Sequence, residues 1–382
     1  MSVEKVVRKS GEVVHRARWR QDGRNRARTF STKRDALDFE AERRRAARAG
    51  LLAQLDAGTE TLDEYIRDTW VPTYSRSLAP KTRRHYVGLY DHHISPFLGG
   101  VPLRDLTSER IARWQADRIN DGAGPVAVRH ALDLLGAIVQ RAVEGRRLQT
   151  NQVRLVRKVR APRRDEVRPL APETVERMRS ATLTGSGSQP LRDATLLSVL
   201  AYAGLRPGEA LGLRWGDVRD GTILVQRSIS LGQEADTKTR QHRIVRLLAP
   251  LRSDLAEWRL AAGRPPDDAL VFPAEDGSPW SEAAYQSWRR RSFARALAAV
   301  GVKAARPYDL RHSFASLLLH EGRSVIYVAR QLGHDARLTL TRYGHVIEEL
   351  EDQPRLAAED AIRAAREVLR TRLVPAVQNI AM

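Results

Sequence analysis

The sequence has no cysteine among its 382 residues, which excludes a disulfide scaffold, thiol catalysis and thiolate metal sites. It also lacks any window of about 18 uninterrupted apolar residues, the length that a membrane-spanning helix needs. The opening MSVEKVVRKSGEVV has no apolar signal core. These absences predict a soluble, cytoplasmic protein with no membrane partner. Lysine is scarce too: seven of the 65 basic residues are Lys and the rest are Arg. A GC-rich genome accounts for most of that bias, yet it makes each lysine more informative.

What the chain has in excess is positive charge, a formal +19 with a sequence pI near 10.9. Such a balance points to a polyanionic partner, nucleic acid before an anionic membrane surface. With 42% hydrophobic residues the chain is not a disordered basic tail. Its length suits two to three domains, each able to bury a core.

Residues 12–30 read as a β-hairpin. Arg16, Arg18 and Arg20 alternate along one run and Arg24, Arg26 and Arg28 along the next, with Gln21-Asp22-Gly23 between. A three-residue loop ending in Gly pairs Arg20 with Arg24, Arg18 with Arg26 and Arg16 with Arg28. That register puts all six on one face for a polyanion to neutralise, with Trp19, Ala17 and Ala27 turned toward a helix at 33–48. A two-residue loop would split them between faces.

After a connector at 49–60, Leu62, Tyr65, Ile66 and Trp70 open a helical domain. Thr107 or Ser108 can cap the helix of Ile111 and Trp114, and Val128, Leu132, Leu135, Val139 and Val143 form an apolar stripe that reads as core. Residues 154–170 are basic, contain Pro162 and Pro169, and suit a linker lying along phosphates. Beyond it LRDATLLSVLAYAG reads as a buried helix, 222–248 as strands, and 281–299, 310–321 and 324–333 as further helices.

The expected fold is therefore multidomain and mainly α. A small N-terminal β-hairpin or sheet plus helix (1–55) precedes an α-helical domain (56–153) and the linker. A mixed α+β, mostly α, domain with a small antiparallel sheet (171–350) and a tail helix (351–382) follow.

Four segments of the last large domain concentrate phosphate-binding and nucleophilic residue types. In AGLRPGEAL, Arg206 sits between a buried helix and Pro207, with Glu209 one turn on to orient it; a helix-capping ion pair reads equally well. In DTKTR, Lys238 occupies a turn, and an ammonium can give up a proton where a guanidinium cannot. In RPYDLRHS, Arg311 and His312 start an amphipathic helix, and cations there are tolerable beside an anion. In the fourth, LGH at His334 is followed nine positions on by Tyr343. No acidic or histidine cluster has metal-ligand spacing.

Taken together and in this order, the boxes resemble the tyrosine recombinase, or phage integrase, family. Its signature has an Arg in A-G-L-R-x-x-E, a Lys in a β-turn, H-x-x-R, L-G-H and then a Tyr. The chain departs from it at Tyr308, where the family most often has His; a phenol donates a hydrogen bond but adds no charge near neutral pH. The helical domain resembles the family's core-site-binding domain, and the Arg-rich hairpin resembles an arm-site-binding domain.

The resemblance implies that Tyr343 attacks a scissile phosphodiester to form a 3′-phosphotyrosyl bond. Arg206 and Arg311 would then hold the non-bridging oxygens, and Lys238 would protonate the departing 5′ oxygen. His334 and Tyr308 would support the phosphate, and Glu209 would orient Arg206. It implies double-stranded DNA with core and arm sites as partner, a tetramer on DNA, and a directionality factor or host DNA-bending protein. No metal or other cofactor is required, since one phosphodiester replaces another. Two other readings share the features: a non-catalytic DNA-binding regulator, and a type IB topoisomerase.

Overall fold

The computed structural model describes residues 2–8, 11–21, 24–49, 57–160, 169–185, 189–230, 232–236, 242–349 and 356–373. Lys238 and most of the basic linker's second half lie outside the described residues. The chain forms two compact units, Met1–Arg163 and Arg164–Met382.

The first unit opens with an antiparallel sheet in the order β1 (Ser2–Val7), β2 (Val13–Gln21), β3 (Arg24–Phe30). Helix α1 (Lys33–Arg48) packs against it, started by the Thr32 hydroxyl, which accepts from the Asp35 amide. Phe39 meets Trp19 at 5.5 Å between ring centroids, and the Arg43 guanidinium lies 4.3 Å over the Trp19 ring. β1 adds a third strand to the expected hairpin.

The register corrects the arginine face. Gln21 pairs with Arg24, Trp19 with Arg26 and Ala17 with Arg28, while Arg20 pairs with Asn25, Arg18 with Ala27 and Arg16 with Thr29. Only Asp22 and Gly23 remain between the strands, a dipeptide strongly favoured in two-residue hairpins. Opposite residues share a face. Arg16, Arg18 and Arg20 therefore occupy one face, and Arg24, Arg26 and Arg28 the Trp19 face. There the Arg28 guanidinium lies 5.1 Å over the Phe39 ring, whereas Arg18 pairs with Glu4 at 2.9 Å. The side chains of Arg24 and Arg26 lie outside the described residues.

The helical part of this unit begins with the short helix α2 (Leu62–Tyr65), at a capping box. Thr61 accepts from the Glu64 amide, and the Glu64 carboxylate accepts from the Thr61 amide. Its core gathers Leu62, Tyr65 and Ile94 with Ile111 from α3 (Ser108–Asn120) and the α4 stripe (Pro125–Glu144). Val128, Leu132, Leu135 and Val139 are buried as expected, and Thr107 caps α3. Each such aliphatic side chain contributes about 1.5–3 kcal/mol over an exposed one.

The second unit is built around α6 (Pro190–Tyr202), buried from Arg192 to Tyr202. A helix apolar on all sides needs partners on all sides. It has them in α5 (Pro172–Leu183), α8 (Ala249–Ala261) and α11 (Leu310–His320). The hydroxyls of Thr195 and Ser198 donate to carbonyls one turn back, so neither is buried unpaired. After α6 come the short α7 (Pro207–Leu211) and strands β4 (Val218–Arg219), β5 (Thr222–Val225), β6 (Arg227–Ser230), β7 (Gln233–Asp236) and β8 (Arg243–Arg246). They form two antiparallel sheets, β4-β5-β8 and β6-β7.

Helices α9 (Glu282–Trp288) and α10 (Ala294–Ala299) lead to α11, α12 (Val325–Leu332) and α13 (Ala336–Glu349). The tail helix α14 (Ala358–Leu373) packs on its own domain, with Ala358 and Ile362 fully buried. Arg366 locks it by pairing with Asp254 at 2.8 Å and Glu176 at 3.1 Å. Among the described residues no helix is long and apolar enough to cross a membrane.

Candidate active site

The end of α6, the start of α11 and the end of α12 meet around one guanidinium. Arg311 is fully buried, and it donates to the Gly204 carbonyl at 2.5 Å and to the Leu332 carbonyl. Gly204 and Gly333 both adopt left-handed backbone, with φ of 60° and 64°. At each, a Cβ would collide: 2.5 Å from Phe314 Cδ1 at Gly204, and 2.8 Å from Arg243 Cδ at Gly333. Glycine is therefore required to turn these carbonyls toward the arginines.

Arg206 caps α7 and donates from Nη1 to Glu209 Oε1 at 2.6 Å and from Nη2 to the Gly333 carbonyl at 3.2 Å. The other Glu209 oxygen accepts from the Arg206 amide at 2.8 Å. A further arginine completes the network. Arg243 on β8 forks onto Glu209, Nη1 to Oε1 at 3.0 Å and Nη2 to Oε2 at 2.6 Å, and its Nε donates to the Gln331 carbonyl at 3.0 Å. Burial works to raise the Glu209 carboxyl, but hydrogen bonds and charge from Arg243 and then Arg206 outweigh it, holding the group at about 2.

Two guanidiniums thus share the Glu209 carboxylate while Arg311 bonds backbone carbonyls alone, and the excess positive charge favours an anion. Burial, then repulsion from Arg206 and Arg243, lowers Arg311 to about 10, so it remains charged at neutral pH. Arg206 keeps 19% of its side chain exposed against 9% for Arg243, which leaves Arg206 the more accessible to a ligand.

Beside the arginines stands a column of three rings. Tyr308 meets His312 edge-on at 5.7 Å, and His312 meets Tyr343 at 5.6 Å. The Tyr343 hydroxyl and His312 Nδ1 share a hydrogen bond of 2.5 Å, and both side chains are buried. Burial pushes the Tyr343 phenol well above its ordinary range, against the pull of the Arg311 charge. Burial also lowers His312, to about 4, with Asp309 opposing and the charges of Arg342, Arg311 and Arg306 adding to the fall. His334 is half-buried after Gly333, its Nδ1 donating to the Asp335 carbonyl at 3.2 Å; burial lowers it too.

Arg206, Glu209, Arg311, Tyr308, His334 and Tyr343, singled out from the sequence, therefore belong to neighbouring elements of one unit. Sequence reasoning does not assign Arg243 or His312 to the site. Arg243 had a signal, because Arg243 and Val245 share one face of β8 and Val245 is buried. An arginine on an inward face needs a partner. His312 follows Arg311 in a helix whose other side is core, so no pattern separates it from a structural histidine. Among the described residues no group of three or more His, Asp or Glu could hold a metal ion.

Comparisons with known proteins address the family and the fold. Residues 168–349 match the phage integrase family, and residues 61–117 match the N-terminal SAM-like domain of phage integrase. A putative prophage phiRv2 integrase of Mycobacterium tuberculosis is 28% identical over 332 residues, covering 83% of this chain and 84% of the relative. Tyrosine recombinase XerD of Pseudomonas aeruginosa is 34% identical over 164 residues, 41% of this chain and 50% of the relative. Among solved structures, a lambda integrase tetramer bound to a Holliday junction superposes with a TM-score of 0.58 at 19% identity, covering 87% of this chain and 95% of that one. At that identity the likeness establishes the fold.

Proposed function

The chain belongs to the phage integrase family of tyrosine recombinases, and from that premise we propose how its own residues break and rejoin DNA. It is a tyrosine-type site-specific recombinase. The comparisons do not favour a non-catalytic regulator or a relaxing topoisomerase.

Tyr343 Oη attacks the scissile phosphorus, the P–O5′ bond breaks, and a 3′-phosphotyrosyl bond stores the energy of the broken diester. Arg206 and Arg311 bind the non-bridging oxygens; Glu209 with Arg243 fixes Arg206, and the Gly204 and Leu332 carbonyls fix Arg311, before DNA arrives. Preorganised donors of this kind are worth about 2.7–4 kcal/mol each in the transition state. His334 and Tyr308 border the phosphate. Lys238, outside the described residues, is assigned as the acid for the departing 5′ oxygen. The 5′-hydroxyl of a partner strand then reverses the step. The exchange conserves the number of phosphodiesters, so it consumes no ATP.

The observation that carries this reading is that buried Tyr343 feels the charge of buried Arg311, in a cluster of three arginines with a single carboxylate, Glu209. The partner is double-stranded DNA. Residues 61–153 would bind core sites, and the Arg16–Arg18–Arg20 face would bind arm sites. The working unit would be a tetramer on DNA, with a directionality factor or a DNA-bending host protein choosing between integration and excision of a mobile element. The test uses nicked suicide duplexes tiled across the DNA flanking the gene. Wild type should leave a denaturant-resistant adduct at discrete positions, and Tyr343→Phe should leave none; a wild type without adducts would contradict the reading.

A further inference from the structure

We propose that His312 is a catalytic residue, the base that takes the Tyr343 proton as the hydroxyl attacks phosphorus; this rests on the recombinase reading above. Attack by a neutral phenol would leave a proton on the bridging oxygen. The proton therefore has to go to an acceptor in contact with Oη, and His312 Nδ1 is in contact at 2.5 Å.

The other acceptors in the neighbourhood are committed elsewhere. Both Glu209 oxygens receive guanidinium donors. Asp309 is held by Arg306, through the amide at 2.8 Å and Nη2 at 2.9 Å. His334 turns Nδ1 toward the Asp335 carbonyl and Thr339. Tyr308, edge-on to His312, is a phenol and cannot serve as a base near neutral pH.

The resting state has the right protonation for this role. The charged groups facing His312 are Asp309 and Arg306 on the preceding turn, Arg311 beside it and Arg342 on α13. Burial, together with cations that outnumber the single carboxylate, keeps the imidazole neutral, and the proposed role puts its one proton on Nε2, leaving the Nδ1 lone pair for Tyr343. A hydrogen-bonded tyrosine and histidine in a dry site is a proton-transfer pair whose direction the arriving phosphate can set.

In the forward step Oη–P forms, P–O5′ breaks with its electron pair on O5′, the phenolic proton passes to Nδ1, and O5′ takes a proton from the acid assigned to Lys238. On rejoining, the 5′-hydroxyl attacks, Oη–P breaks, and the phenolate recovers its proton from the His312 imidazolium.

The decisive variant is His312→Asn, whose amide oxygen can still accept from the Tyr343 hydroxyl but cannot take its proton. Single-turnover adduct formation should fall by about 10²-fold or more, with duplex affinity and melting temperature close to wild type. Between pH 6 and 8 the variant's rate should climb with hydroxide while the wild type stays nearly level. A duplex with sulfur at the bridging 5′ position has a leaving group that needs no proton. It should restore Lys238→Ala and leave His312→Asn slow. A His312→Asn rate within threefold of wild type would overturn the proposal while the wild-type adduct keeps the recombinase reading intact. A wild type without any adduct would remove both. Nitrogen-15 histidine spectra of the unmutated protein give an independent check: His312 should be protonated at Nε2 alone, and a proton resident on Nδ1 would overturn the proposal.

Discussion

Arg243 and Glu209 face each other through two parallel hydrogen bonds, 3.0 and 2.6 Å, and the carboxylate that Arg243 grips is the one that holds Arg206. Strand β8 is thereby tied to α7, and the Arg243 Nε bond to the Gln331 carbonyl ties both to the end of α12. Arg206, Arg243 and Arg311 repel each other, and Glu209, bonded to the first two and attracting the third through space, offsets that repulsion in the absence of DNA.

Glu209→Gln should therefore lower stability by roughly 3–5 kcal/mol, because it leaves buried guanidiniums without their counter-charge. The pH dependence has a definite sign. The Glu209 carboxyl lies at about 2 in the folded protein against an ordinary 4.5, so its contribution is complete above 4.5 and disappears as pH falls toward 2. Thermal melts of wild type and variant should lie furthest apart at neutral pH and converge with acid.

Gly204→Ala should cost more than Gly333→Ala. Both impose left-handed backbone on an L-residue, about 1–2 kcal/mol. At Gly204 the new methyl would also meet the fully buried Phe314 ring, 2.5 Å away, whereas at Gly333 it would meet the Arg243 side chain. Urea unfolding should rank the two in that order. The Gly333 variant should lose DNA cleavage out of proportion to its stability, since it displaces Arg243 from Glu209.

The hairpin register separates two kinds of arginine. Arg18→Glu together with Arg20→Glu should weaken arm-site binding and reduce the slope of log affinity against log salt by up to about 0.9 for each phosphate that is no longer neutralised. Arg28→Glu should act mainly on folding, because its guanidinium packs over Phe30 and Phe39. Equal loss of DNA affinity from both changes, measured by gel shift across a salt series, would contradict the split.

Much of this architecture is legible in the sequence because it rests on period and capping. Thr107 capping α3 and the stripe from Val128 to Val139 follow from 3.6-residue spacing, and Arg206, Arg311, His334 and Tyr343 follow from motif order. The register of β2 and β3 is not legible. Two- and three-residue loops fit the same letters, and a shift of one residue exchanges the faces. The Tyr343–His312 contact is hidden for another reason. It joins two helices 31 positions apart, and only tertiary packing brings them together. β1 is short and carries too little alternation to stand out from the charged N-terminus.

The most direct test of the account is peptide mapping of the covalent protein–DNA adduct. Wild-type protein trapped on a nicked suicide duplex, digested and sequenced by mass spectrometry, should carry the nucleotide on Tyr343 through a 3′-phosphate. A nucleotide on Tyr308, on any other residue, or linked through a 5′-phosphate would contradict it.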